Sequence, residues 1–220
     1  MRVVIQCAGD KHEGGYFRAP DGHTVKFVAR AELVPASERN ADLVARPDDS
    51  ACDGHTWRDL VRDYNVKAEY AGNPSGLWPA YRLYRNAVYV RLVERFGAEN
   101  VFILSAGWGL IRSDFLTPNY DITFSSSAAG WQRRRNADRY TDFSFSPVAL
   151  VGRVVFFGGK DYVQLFLRLT GSVLDERVIF FNSQIEPSAP GCRLVRYETS
   201  MRTNWHYACA DRFASGQLAV

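Results

Sequence analysis

Near the end of the stretch Val101–Ser125, VFILSAGWGLIRSDFLTPNYDITFS, a phenol and a carboxylate stand side by side as Tyr120 and Asp121. A carboxylate so placed can orient a water molecule and offset developing positive charge, the demand made by hydrolysis through an oxocarbenium-like transition state. Residue type alone equally allows Asp121 to act as an Asx-turn or a cap. A second carboxylate, Asp10, lies in Cys7-Ala8-Gly9-Asp10-Lys11, where another apolar run stops. Asp121 is the leading catalytic candidate and Asp10 its reserve. Cys7, Gly9, Lys11, Ser105, Gly107, Trp108, Tyr120, Gly159, Tyr162, Asn182 and Ser183 are the expected substrate-binding positions, since each sits where an apolar run gives way to polar or small residues. Asn182 and Ser183 are also ordinary turn or helix-cap types.

Two further segments carry cationic and aromatic side chains together. Gly130-Trp131-Gln132-Arg133-Arg134-Arg135 follows the Asp121 loop, with Arg139 shortly after. Such a cluster can grip phosphates while an aromatic ring stacks on a base; a solvated basic face is the alternative. Ser200–Tyr207, SMRTNWHY, brings Arg202, Asn204 and His206 beside Trp205. It reads either as a capped amphipathic helix with Trp205 in the core or as a second lip of a pocket. Trp131, Arg133, Arg134, Arg135, Arg202, Asn204 and His206 are therefore the expected nucleic-acid contacts.

The elements that must position these groups follow from hydrophobic patterning. Val3–Cys7, Val101–Leu104, Val154–Phe157 and Val178–Phe181 are apolar runs too short for helices and bounded by glycine or polar residues. They read as strands of a parallel sheet covered on both faces, whose polar followers converge on one rim. Trp57–Tyr64 reads as a helix with Thr56 as its N-cap. Leu77–Phe96 reads as one longer helix, with Tyr81, Tyr84, Val88, Leu92 and Phe96 on its apolar face, Pro79 in its first turn and Gly97 at its end. Tyr162–Thr170 and Thr203–Phe213 complete the helices. Val25–Ala29 suits an edge hairpin or an excursion, and Pro35–Asp53 a long mobile surface loop. The expectation is an α/β fold, a three-layer α/β/α sandwich with a central, mostly parallel sheet, formed as a single domain over residues 1–220.

Composition narrows the class. A chain of 220 residues that is 46% hydrophobic can bury one substantial α/β core. The net charge is only +3, yet 23 of the 27 basic residues are Arg, whose planar fork suits phosphate contact as well as structural pairing. Cys7, Cys52, Cys192 and Cys209 lack the spacing of a metal site, and no secretory apolar segment precedes them, so free thiols in a reducing cytoplasm are expected. No apolar run approaches the roughly 18 residues of a membrane span. No phosphate-binding GxxxxGK[ST], no GxSxG elbow and no HExxH occurs. Neither a cofactor nor a metal is called for, and no obligatory protein partner is visible.

The run LYRNAVYVRLVERFGAENVFILSAGWGLIRSDFLTPNYDITF, with CAGDKHEGG before it and FFGGKDY after it, resembles the YaaA-related group of bacterial proteins, in which LSA-aromatic-GL precedes a YD segment. More distantly it is similar to the uracil-DNA-glycosylase-like domain of archaeosine-synthesis enzymes. The resemblance implies a glycosylase-like fold. It offers as functional model a bacterial antiphage DNA glycosylase that removes modified cytosines from phage DNA. Tyr120 and Asp121 match the YD element, and Gly107-Trp108-Gly109 the turn before it. The GQDPYH and HPSP elements of true uracil-DNA glycosylases are absent, which argues against plain uracil as substrate.

The expected activity is thus base flipping followed by hydrolysis of an N-glycosidic bond. Asp121 would steady the sugar cation, Trp108 or Tyr120 would stack on the base, and Asn182 would read its edge. A non-catalytic DNA-binding stress protein and an RNA base-exchange or nucleoside-processing enzyme are the alternatives.

Overall fold

The computed structural model describes residues 1–39, 41–144 and 152–220. In chain order its strands are β1 (Arg2–Gln6), β2 (Phe17–Arg18), β3 (Thr24–Val28), β4 (Leu43–Ala45), β5 (Trp78–Pro79), β6 (Val101–Ser105), β7 (Gly109–Arg112), β8 (Leu116–Thr117), β9 (Tyr120–Asp121), β10 (Val154–Phe157), β11 (Arg177–Phe181) and β12 (Cys192–Arg196). The α-helices are α1 (Trp57–Ala71), α2 (Ala80–Leu83), α3 (Val88–Phe96), α4 (Lys160–Leu169) and α5 (Trp205–Ala214).

The main sheet runs β12-β11-β10-β1-β6-β7, with every neighbouring pair parallel except β6 and β7. The four expected buried strands are all present in it. Valine, isoleucine and phenylalanine on both pleat faces suit a sheet with helices on each side. Phe156 and Phe157 show this directly, because consecutive strand residues point opposite ways. Phe156 stacks on Phe166 of α4 at 4.6 Å, while Phe157 packs on Phe213 of α5 at 5.2 Å. On the α5 face, α3 joins through stacked Phe96 and Phe213 and an Arg91–Asp211 ion pair. The architecture is α/β, with helices on both faces of a mostly parallel sheet.

Taken by order in the chain, the five parallel strands lie 2-1-3-4-5 across the sheet, so the direction of winding reverses between β1 and β10. Ligands of doubly wound sheets sit beyond the carboxyl ends of the strands at such a reversal.

A second, small sheet, β2-β3-β4 with β9 added to β3, lies against this end of the molecule. The Phe27 ring of β3 meets Trp108 at 5.0 Å and Trp57 of α1 at 6.2 Å, and Phe17 and Phe27 share one continuous core with the main sheet. The β2–β3 pair is the hairpin expected around Val25. Part of Pro35–Asp53, expected as structureless, is β4 pairing parallel with β3, and Asp48 is tied to Arg58 at 2.7 Å. The polar residues that suggested a loop form an edge and its anchors.

Helix α1 begins where expected, with a complete capping box between Thr56 and Asp59, and continues to Ala71. The helix expected over Leu77–Phe96 is not one piece. Trp78–Pro79 pairs with Leu116–Thr117, α2 occupies a single turn, and Tyr84 is extended at φ −91°, ψ 135°. Its phenol turns inward to hydrogen-bond Tyr120, and its backbone bridges Lys11. Helical spacing cannot register a side chain required in two places at once.

At the β6–β7 turn Gly109 has φ +92°, and a Cβ there would lie 2.6 Å from both Asp142 Cβ and the Phe143 carbonyl. Gly109→Ala should therefore lower stability by more than about 2 kcal/mol, from left-handed strain plus backbone collision. A melting curve matching the parent's would refute this.

Candidate functional site

Ser105 ends β6 with its hydroxyl buried, where it accepts backbone N–H groups from Gly107 (3.2 Å) and Trp108 (3.1 Å) and donates to Tyr120 Oη (2.8 Å). Tyr120 Oη in turn lies 2.8 Å from Tyr84 Oη. Burial pushes both phenols well above the ordinary tyrosine range, so they remain neutral donors and acceptors. This relay fixes β9. Because strand side chains alternate, Tyr120 pointing into the core sends Asp121 the other way, onto the wall of an open cavity of about 510 Å³.

The cavity lies at the winding reversal between β1 and β10. Gln6, Cys7, Gly9 and Lys11 line it from the end of β1, and Gly159, Asp161 and Tyr162 from the start of α4. The Gln6 side chain clasps the two strands together by accepting the Gly159 N–H at 2.6 Å. Cys7 Sγ lies 3.2 Å from Tyr162 Oη. Arg202, Asn204 and His206 form the opposite lip beside Trp205 and Tyr207, so the Ser200–Tyr207 segment borders the cavity and leads into α5, with Asn204 at the N-cap position making no side-chain cap hydrogen bond. Asn204 takes the left-handed conformation at φ 59°, which asparagine tolerates better than most residues.

Asp121 keeps about 37% of its side chain exposed and pairs with the ammonium of Lys26 at 3.4 Å. Lys26 is itself buried, with Glu38 at 3.7 Å and the Trp131 ring at 4.9 Å. Burial lowers the Lys11 pKa, opposed in part by Cys7, Asp121 and Asp10.

Several expected site residues stand elsewhere. Asp10 points to solvent, 74% exposed and 3.5 Å from Arg85, outside the cavity. Trp108 is fully buried against Phe27 and Phe143, and Tyr120 is 1% exposed; neither presents a face on which a base could stack. Ser105 and Gly107 act behind the wall: a Cβ on Gly107 would come within 3.1 Å of the Tyr120 ring. Asn182 and Ser183 border an adjoining cleft of about 620 Å³ that shares Gly159, Asp161 and Arg202 with the first. Asn182 there donates to the Met201 carbonyl at 2.9 Å, and Ser183 to the Ile185 carbonyl at 2.5 Å.

The basic cluster divides. Arg134 is 2% exposed and forms a two-pronged pair with Asp142 at 2.8 and 2.7 Å, donates to the Ala106 carbonyl and stacks 3.8 Å from the Tyr140 ring. With Arg58, which donates to the Gly107 and Trp108 carbonyls, it holds the β6–β7 turn. Trp131 is buried beside Val28 and Val34. Arg133 is half-buried, with its guanidinium 3.5 Å from the Ser126 carbonyl, and Arg135 is exposed.

Sequence reading did not single out Gln6, Gln132 and Tyr207 as wall residues, nor Lys26 as the partner of Asp121. Lys26 was detectable as the cation inside an otherwise apolar strand, T-V-K-F-V. Gln132 had no such signal, because backbone pairing of Thr123 with Gln132 and Arg134 brings it round. Among the described residues no cluster of three or more His, Cys, Asp or Glu could hold a metal ion, and no helix is long and apolar enough to cross a membrane. No protein-family model matches the chain, and neither a curated protein nor a solved structure matches it.

Arg134→Met should lower stability by about 2 kcal/mol or more, because it leaves Asp142 with Arg168 as its remaining guanidinium partner and takes the donor from the buried Ala106 carbonyl. Arg135→Met should stay within about 0.5 kcal/mol. Equal effects in chemical denaturation would contradict this division.

Burial drives His206 down to about 4 from 6.5. Between those values the unfolded chain binds a proton that the folded chain refuses, so stability falls as pH is lowered through that window, by up to about 3 kcal/mol. In His206→Gln the loss of melting temperature between pH 7 and pH 4.5 should shrink. An unchanged loss would assign it to other groups.

Proposed function

We propose that this protein is a DNA glycosylase, which draws a modified base out of the helix and hydrolyses its N-glycosidic bond. The observation that carries the reading is Asp121, a part-exposed carboxylate held by Lys26 on the wall of a cavity at the winding reversal of an α/β sheet. A volume of about 510 Å³ falls in the usual range for sites that take a small organic group. Tyr162 and Tyr207 supply aromatic surface, Gln132 and Asn204 amides suited to a base edge, and Arg202 a cation suited to phosphate. A base must leave the stack to reach such a recess.

In this mechanism Asp121 orients water toward C1′ and offsets the positive charge that grows on the sugar as the base departs. Lys26, 3.4 Å away, holds the carboxylate in direction. Arg133, Arg135 and Arg202 hold the strand by its phosphates, a sequence-independent contribution. The resemblance of the Gly107–Asp121 segment to the YaaA-related group and to a uracil-DNA-glycosylase-like fold supports modified cytosines of phage DNA as the substrate class and the bacterial cytoplasm as the place of action.

Asp121→Asn retains volume and removes charge, and Lys26 keeps Glu38 and Trp131 as partners. Folding and DNA affinity should survive, while base release falls on the order of a hundredfold or more. Duplexes carrying different modified cytosines, assayed for free base and alkali-labile abasic sites, provide the test. Base release at the parent rate by a folded, DNA-binding Asp121→Asn protein would exclude this role.

A further inference from the structure

Two lysines lie near Asp121 in contrasting surroundings. Lys26 hydrogen-bonds the Glu38 carbonyl at 3.0 Å and forms ion pairs with Asp121 at 3.4 Å and the Glu38 carboxylate at 3.7 Å, with the Trp131 ring beneath it. The Lys11 amine makes one long contact, 3.4 Å to the Gly9 carbonyl, and rests 4.5 Å from the centre of the Tyr120 ring. Among the described residues no carboxylate lies within 4.0 Å of it. Its backbone is pinned by a bridge to Tyr84, whose hydroxyl meets Tyr120. Lys11 is thus a positioned, part-exposed amine on the cavity wall that, among the described residues, has no ion-pair partner. Burial depresses its basicity, so a larger share is unprotonated than in an ordinary lysine.

An unprotonated, positioned amine attacks carbonyl carbon. If the cavity holds the sugar of a DNA nucleotide, as proposed above, removal of the base leaves a deoxyribose whose opened form carries an aldehyde at C1′. We propose that Lys11 condenses with this aldehyde, giving the protein an abasic-site lyase activity in addition to base release. Nζ attacks C1′, the carbonyl π electrons move to oxygen, and the carbinolamine loses water to leave a protonated imine. A C2′ proton then passes to the Asp121 carboxylate, its C–H electrons form a double bond, and the C3′–O bond breaks with departure of the 3′ phosphate. Water hydrolyses the imine and restores the amine. Atoms and electrons balance without an oxidant or reductant.

The test uses oligonucleotides that already contain one abasic site, so no base release by the protein is needed. With borohydride present the imine is reduced to a stable secondary amine, and peptide mass mapping of the parent protein should place the adduct on Lys11. Lys11→Met should lose adduct and strand incision on the order of a hundredfold or more, while Lys67→Arg, on the exposed face of α1, should retain both. Incision should rise with pH to a midpoint below the ordinary lysine range. Absence of an adduct, or its mapping to the amino terminus or another lysine, overturns the proposal, and the parent's peptide map decides even if Lys11→Met fails to fold. Base released from modified duplexes without any trapping would leave the glycosylase reading standing and remove this one. Trapping on abasic DNA by a protein that releases no base would do the reverse.

Discussion

The chain of buried hydroxyls from Ser105 through Tyr120 to Tyr84 constrains more of this molecule than any other interaction. Each oxygen is shielded from water, so leaving one unpaired would cost about 1–3 kcal/mol. Three distant segments are thereby held in one place. The end of β6 is tied through Ser105 to the Gly107 and Trp108 amides, β9 is tied through Tyr120, and the chain between α2 and α3 must open to bring Tyr84 inward. With Tyr120 fixed in the core, Asp121 has only the outward direction available. Lys11, bridged to Tyr84 and resting on the Tyr120 ring, takes its position from the same relay.

Buried cations support this arrangement from behind. Arg58 and Arg134 donate to the carbonyls of Ala106, Gly107 and Trp108 in the tight turn, where Trp108 also accepts the Phe143 N–H, and Asp48 and Asp142 balance their charge. The turn can then sit in the core without orphaned carbonyls. Much of the arginine content that suggested phosphate contact is thus structural. Of the arginines singled out from sequence, Arg202 lines the cavity, and Arg133 and Arg135 stay part-exposed and exposed on the segment that follows Gln132.

The location of the cavity follows from winding. Connections leaving β1 and β10 travel in opposite directions across the sheet, so no chain fills the gap beyond their carboxyl ends. Gln6 bridges that gap at its base by accepting the Gly159 N–H, which fixes the approach of α4 to β1. The small sheet supplies one wall through β9, and the start of α5 supplies the other.

The local physics of the sequence determined the four buried strands, the N-cap of α1, the β2–β3 hairpin and the rim on which their polar ends meet. Continuous runs of Val, Ile and Phe bury both pleat faces only in a covered parallel sheet, and Thr56 with Asp59 satisfies helix-end amides within a few residues. The placement of Asp121, Lys11 and Cys7 at this rim was legible for the same reason. The edge strand β12, half-exposed and carrying arginines, gave no apolar run to read, and β4 borrowed its order from β3. Only tertiary structure decided that Tyr84 breaks a helix its spacing favours, that Trp108 and Arg134 serve the core, that Asp10 faces solvent and that Lys26 partners Asp121. In each case the deciding contact joins segments far apart in the chain, and whether a polar or aromatic group is buried and satisfied depends on partners that local pattern cannot name.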